Sequence, residues 1–411
     1  NKLIMILIVV IGAIAISQLV RVYELTAKLR KHGEDEIPMR DNYLNAKLML
    51  AFMVFQFGGF IYLMMKYGWT GRGPAASVQG EATDWLLNIN FVLVIAIFFL
   101  TNFLLFFFSY KYVKKPGVKA YYYPHNNKLE MLWTVVPAAV LAVIIILGLR
   151  TWNEVTSASP KDAIQVELYS KQFDWTARYA GGDNTLGKTD YKLILGNNEL
   201  GLMTAATIDS SILAMRQGAG GILDIKKLLN NRDTVLTDSL TAVLRKDLGS
   251  KERLLRLLTQ MKSTHNASLD KHAYDDIIQK DTLYLCVNKP YEFSLRSKDV
   301  IHSAYFPHFR AQMNTVPGYG TRVKFTPNKT TAEMRTIKNL PTFNYVLMCN
   351  KICGGAHYKM KLMVVVLDEA AYNAWMKGRA AKNFKATYFP APAAPAATVT
   401  PAKDTVKTAM N

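Results

Sequence analysis

Long apolar runs fill much of the first 150 residues, and short alternating runs recur after them. Four stretches, 3–20, 48–65, 85–108 and 132–149, reach or approach the roughly 20 apolar residues needed to cross a hydrocarbon core. The third is the most apolar, and the fourth carries no charge. Gln56 and two glycines interrupt the second, which makes it the weakest, with a buried soluble helix as its alternative. Residues 1–150 are therefore expected to form a four-helix transmembrane anchor.

Beyond the anchor the period changes to two. Residues 164–179 alternate and then turn aromatic at Phe173, Trp175 and Tyr179. A Gly-Gly-Asp-Asn turn follows at 181–184, and 191–195 reads as a further strand. Strand patterning returns at 282–287, 291–296, 321–325, 345–348 and 363–367. Between these groups, residues 197–280 show helical spacing, as in Ile222, Ile225, Leu228 and Leu229. The expected layout is an all-β sandwich begun at 151–196, interrupted by a helical insertion at 197–280 and completed at 281–380. The Pro/Ala-rich residues 381–411 have too little to bury and read as a disordered tail.

Charge orients this plan. Residues 21–47 hold Arg21, Lys28, Arg30, Lys31, Arg40 and Lys47, and the loop after the third span holds Lys111, Lys114, Lys115, Lys119 and Lys128. The second loop has little beyond Lys66 and Arg72. Basic loops stay in the cytoplasm, so the first and third loops are expected inside. The N-terminus and everything after Arg150 are then expected outside, on the periplasmic face of a bacterial inner membrane. The first span reads as retained rather than cleaved, and the opening Asn suggests that a preceding piece was removed. Of the net charge of +19, a surplus of 12 lies after residue 150. An external basic surface suits acidic proteins or anionic headgroups, and the compartment excludes nucleic acid.

The three cysteines carry the chemistry. Cys286 sits in an apolar run and reads as core. Cys349 and Cys353 share twelve residues with His357 and Met360: Cys349-Asn350-Lys351-Ile352-Cys353-Gly354-Gly355-Ala356-His357-Tyr358-Lys359-Met360. Thiolate and thioether donors select copper, zinc or iron–sulfur clusters. A disulfide leaves His357 and Met360 unexplained, and structural zinc sites use Cys and His, so the thioether argues for copper. Two cysteines are one more than a mononuclear blue-copper site takes, and two bridging thiolates can hold a copper pair. A further histidine is needed, and His302 or His308 is the expected source. His265 and His272 are seven apart, a spacing that allows a shared helix face, and read as surface histidines rather than a metal site.

These motifs resemble subunit II of the haem–copper cytochrome c oxidases. The loop matches C-x-E-x-C-x-x-x-H-x-x-M at every position but the Glu, where Lys351 stands, and Asp299-Val300-Ile301-His302-Ser303 matches D-V-x-H-S. Glu130-Met131-Leu132-Trp133-Thr134-Val135-Val136-Pro137-Ala138 is similar to the family's E-x-x-W-T-x-x-P-A, and Gln172-Phe173-Asp174-Trp175 is similar to Q-W-x-W with Phe for the first Trp. The likeness covers roughly 85–180 and 282–367. The first two spans, the insertion and the tail lie outside it.

The resemblance implies a cupredoxin-like fold and a binuclear copper A centre. Cys349 and Cys353 would bridge two coppers, with His302 and His357 as terminal ligands. Met360 would be a weak ligand, and Lys351 would act through its carbonyl. Lys351 replaces a family Glu that also helps hold magnesium at the catalytic subunit, which puts that magnesium in doubt. Phe173 and Trp175 would lie where electrons arrive, and Glu130 at the mouth of a proton path. The implied partners are the haem–copper catalytic subunit I and other oxidase subunits. The implied donor is a cytochrome c or a haem c domain of a neighbouring complex, because no C-x-x-C-H haem motif occurs in the chain. Oxygen reduction with proton pumping would follow on the catalytic subunit. A quinol-oxidase subunit II would have lost the copper ligands that are present here. A nitric-oxide-reducing relative and a tethered copper or zinc carrier are the other readings.

Overall fold

The computed structural model describes residues 2–29, 38–68, 72–231 and 236–389. The chain divides into two compact units, one comprising 1–73 and 86–146, the other 74–85 and the chain from 147.

The first unit is helical. Its helices are α1 (Lys2–Leu29), α2 (Met39–Leu63, continued by a π-helical turn at Met64–Gly68), most of α3 (Val78–Lys111) and the first two thirds of α4 (Asn127–Thr156). Three helical spans, Met39–Gly68, Val78–Lys111 and Asn127–Thr156, are long and apolar enough to cross a membrane. This count is of the described residues, and several side chains of α1 lie outside them. Arg30 and Lys31 of the first basic loop also lie outside the described residues. Only 6% of the second span's most apolar window is buried within the chain, and its length and composition are those of a membrane span. Its polar Gln56 donates to Asn102 of α3 at 3.5 Å, and Phe57 and Phe60 pack on Phe99 and Phe98 at 4.6 and 5.1 Å. A polar group inside an apolar helix is tolerated when a neighbouring helix supplies its partner.

The second unit holds two five-stranded sheets. One runs β3 (Ile277–Gln279), β2 (Asp174–Tyr179), β1 (Ile164–Lys171), β5 (Tyr291–Ser297) and β8 (Thr321–Phe325). The other runs β4 (Thr282–Cys286), β10 (Lys361–Leu367), β9 (Tyr345–Cys349), β6 (His302–Phe306) and β7 (Ala311–Thr315). The β1–β5 and β4–β10 pairs are parallel and the rest antiparallel. Alternation explains the core: along β5, Tyr291, Phe293, Leu295 and Ser297 point inward. They meet Phe306, Phe309 and Phe325, with Phe293 and Phe325 stacked at 4.9 Å. Cys286 is buried in this core, as expected. Residues 74–85 also belong to this unit. Ala76 N donates to His308 O and Val78 N to Thr326 O, while Arg310 pairs both oxygens of Asp84.

Several sequence boundaries shift. The strand expected at 191–195 is a 3₁₀ turn at Tyr191–Leu193, because Asp190 accepts from Lys192 N and closes the turn. β3 falls inside the stretch assigned to the insertion, whose helices are α5 (Ala205–Gln217), α6 (Ile222–Asn230), α7 (Asp238–Thr264) and α8 (Asp270–Tyr274). Their small core is Leu193, Ile208 and Leu258. β6 and β7 went unread; β6 is buried on both faces and so lacks alternation. His265 and His272 do not share a helix: the first caps α7 and bonds Asp270, while the second lies on α8 and bonds Asp183. After α9 (Thr331–Lys338) and α10 (Glu369–Ala380), the tail drawn from 381 begins with structure. Asn383 caps α11 (Phe384–Tyr388), and Phe384 is buried beside Tyr169, Leu200 and Leu202. Residues 390–411 lie outside the described residues.

A buried ion network joins the insertion to the first sheet. Glu167 of β1 accepts from Arg178 of β2 at 2.7 Å and also from Arg296 of β5. Arg178 also reaches Asp276, just before β3, at 2.5 Å, and the Gly187 carbonyl. Burial alone would raise the Glu167 carboxyl, but the two guanidiniums hold it at about 2. Burial pushes Asp276 up to about 7 against the pull of Arg178.

Candidate metal centre

β9 ends at Cys349 and β10 begins at Lys361, so the ligand loop spans one β-hairpin at the edge of the core. Cys349 N donates to Met360 O at 3.0 Å and closes the loop at its base. Asn350 N donates to Ser303 O, and Ala304 of β6 pairs with Cys349. This strand pairing brings His302, which begins β6, to a loop 47 residues further along the chain.

The donors converge. Cys349 Sγ and Cys353 Sγ are 3.9 Å apart, well beyond the roughly 2.05 Å of a disulfide. His302 Nδ1 lies 3.8 Å from Cys349 Sγ, and His357 Nδ1 lies 3.5 Å from Cys353 Sγ. Met360 Sδ is 3.8 Å from Cys353 Sγ, and the Lys351 carbonyl is 3.2 Å from Cys349 Sγ. Cys349, Cys353, Met360 and His302 are buried, whereas the Lys351 side chain is exposed. Burial, and then the neighbouring Cys349, push the Cys353 thiol up to about 11. A bound cation offsets that cost, since the thiolate is the form that binds metal.

Residues outside the ligand set hold it in place. With Nδ1 of His302 aimed at Cys349, Nε2 donates to Asp299 Oδ1 at 2.8 Å. Such a carboxylate fixes the tautomer and ring orientation of a ligating histidine. Asp299 also accepts from Gln172 N at 2.7 Å and from Val300 N. Burial raises this carboxyl, but these hydrogen bonds outweigh it and bring it below the usual range. The Gln172 side chain donates to the Cys353 carbonyl, so the β1–β2 turn touches both sides of the centre. Asp299 and Gln172 stand inside the two recognised motifs, but the sequence reading gave neither a role.

The other sequence candidates separate. Phe173 is half-buried, and its ring lies against Gly354: a Cβ there would meet ring carbons at 2.9 Å, and the φ of +143° itself favours glycine. Trp175 is fully buried with its ring 6.3 Å from that of His302, so it lies beneath the centre and not on a surface. His308 is not among the converging donors. It packs on Phe343 and Tyr345, and burial with Lys338 and Arg310 pushes it down to about 4. Glu130 lies in the first turn of α4, where its carboxylate accepts from Asn126 N at 3.1 Å.

The donor set fits a soft metal. It offers two sulfurs, two imidazole nitrogens, a thioether and a carbonyl, and among the described residues His302, Cys349 and Cys353 form the cluster of potential ligands. Thioether and thiolate together favour copper.

Comparison with known proteins agrees with the motifs. A family model described as "Cytochrome C oxidase subunit II, transmembrane domain" matches residues 45–151. The alternative cytochrome c oxidase subunit 2 of Bradyrhizobium diazoefficiens is 27% identical over 317 residues, covering 77% of this chain and 85% of the relative. The cytochrome c oxidase subunit 2 of Cereibacter sphaeroides is 22% identical over 311 residues, covering 75% and 80%. The crystal structure of the periplasmic domain of subunit II of cytochrome oxidase from Bradyrhizobium japonicum aligns at 14% identity and a TM-score of 0.27, over 55% of this chain and 99% of that one. The curated relatives are subunits of a haem–copper oxidoreductase complex. The transmembrane-domain match and these relatives make the chain similar to the cytochrome c oxidase subunit II proteins and support reading it as a subunit II.

Proposed function

We propose that the chain is the binuclear copper A subunit of a cytochrome c oxidase. It would take electrons singly from a cytochrome c or haem c domain and deliver them to a catalytic haem–copper subunit, where oxygen is reduced and protons are pumped. One observation carries the reading: the donors divide evenly between two sulfurs. Cys349 has an imidazole and a carbonyl beside it, and Cys353 has an imidazole and a thioether. Six donors exceed what a single four-coordinate ion uses, and two bridging thiolates suit a pair.

Copper, when bound, supplies a one-electron couple. The chain's own residues do the rest. Cys349 and Cys353 give up their thiol protons, and Asp299 keeps His302 in one orientation. Burial of both sulfurs and Met360 excludes water, and the β-hairpin frame limits movement when charge changes. The fold supports a cupredoxin-like description. The three apolar helices and the outward charge pattern support a multi-pass membrane protein with this domain on the periplasmic side. We assign Glu130 to the entrance of a proton path and Phe173, against Gly354, with Trp175, beneath His302, to the route of arriving electrons. Lys351 offers a carbonyl to the centre and no carboxylate for magnesium.

Reductive titration of the copper-loaded full chain tests the reading. Uptake of one electron per pair of copper ions is expected. Independent reduction of each ion would contradict it.

A further inference from the structure

The surface over the candidate centre is cationic. Residues 349–361 contain Lys351, Lys359 and Lys361 and no carboxylate. All three are exposed, as is Lys298 in the bend between β5 and His302, and no ion pair engages any of these four among the described residues. The carboxylate next to this group, Asp299, is occupied by Gln172 N, Val300 N and His302 Nε2. Between the lysines stand two large apolar side chains, Ile352 and Tyr358, at 87% and 76% exposure. Each adjoins a ligand, Cys353 or His357. Apolar residues with a charged rim are the anatomy of a protein interface, and one sign of charge selects its complement.

We infer that the face formed by Ile352, Tyr358, Lys298, Lys359 and Lys361 docks a one-electron carrier whose own haem edge is ringed by carboxylates. This inference rests on the electron-transfer reading above and names the partner's chemistry. In the encounter the carrier's ferrous haem loses one electron and the copper centre gains it; no bond forms and no proton moves. The rim steers the carrier to the loop, and the two apolar side chains make contact beside the ligands Cys353 and His357.

Binding is measured first on the metal-free full chain in nanodiscs of uncharged lipid, so that docking is read without copper. The probes are two small oxidised haem c proteins, one with an acidic and one with a basic face around the haem edge. The acidic protein is expected to bind at least about ten-fold tighter in about 20 mM salt than in about 200 mM, where screening shortens the range of charge interactions. The variant Lys298→Glu/Lys359→Glu/Lys361→Glu is expected to reverse the preference, and Lys359→Gln/Lys361→Gln to weaken it with no new charge. Tighter binding of the basic protein, no binding of either, or indifference to salt and to both variants would overturn the inference. The same chain is then loaded with copper and its metal content measured. Charge-selective binding without copper uptake would sink the electron-transfer reading and leave the docking face standing. Copper uptake without charge selectivity would do the reverse.

Discussion

Replacing Arg178 with Met tests how the insertion and the first β-sheet are joined. Arg178 and Glu167 are each 3% exposed and Asp276 is 0% exposed, so water cannot take over the lost contacts. Without Arg178, Glu167 keeps Arg296, but Asp276 keeps only the Gly187 N–H. Breaking a buried pair by removing one partner costs about 3–5 kcal/mol. At about 2–4 °C per kcal/mol for a domain of this size, the unfolding midpoint should fall by roughly 6–20 °C. Scanning fluorimetry of the full chain, whose tryptophan emission includes the buried Trp175, reads this midpoint. Asp276→Asn provides the contrast. Its carboxyl, raised to about 7, is already part-protonated at neutral pH, so the amide should cost less than about 1 kcal/mol. An Arg178→Met protein as stable as the parent, or Asp276→Asn as damaging as Arg178→Met, would refute the reasoning. The functional consequence runs along β1, which joins Glu167 to the Gln172 turn beneath the centre.

Three further expectations follow from the same contacts. Because Asp276 is raised in the folded state, the unfolded chain releases that proton first. The stability this group contributes is complete below about pH 4 and lost as pH rises through about 7. The difference in melting midpoint between parent and Asp276→Asn should therefore change with pH across that window, and a constant difference would count against the burial argument. Asp299→Ala frees Nε2 of His302 and should weaken copper binding by about 10–100-fold while the melting midpoint of the metal-free chain holds; competition with a chelator measures it, and unchanged affinity would remove Asp299 from its positioning role. Gly354→Ala places a methyl 2.9 Å from the Phe173 ring at a φ of +143°. It should shift the visible spectrum of the copper-loaded chain, and an unaltered spectrum would show that the loop accommodates the methyl.

What was legible in the sequence follows from what the pattern encodes. Long apolar runs and strict alternation depend on local spacing, so the helices and β5 could be read directly. The ligand loop was legible because four soft donors fall within twelve residues. β6 was not, because burial on both faces erases its alternation. The tight turn at 191–193 was misread as a strand, since an Asp cap outweighs apolar spacing there. Asp299 and Gln172 sat in plain view, yet their roles depend on strand pairing that brings three distant segments together. Arg178, Glu167 and Asp276 meet across 109 residues, and no local signal marks them.

Copper stoichiometry combined with electron-spin resonance tests the central claim most directly. The full chain, loaded with copper and freed of excess metal, should hold two ions per chain and, in its oxidised form, give a hyperfine pattern from two equivalent nuclei sharing one unpaired electron. A single ion per chain with the pattern of one nucleus, or a chain that takes zinc and stays colourless, would contradict it.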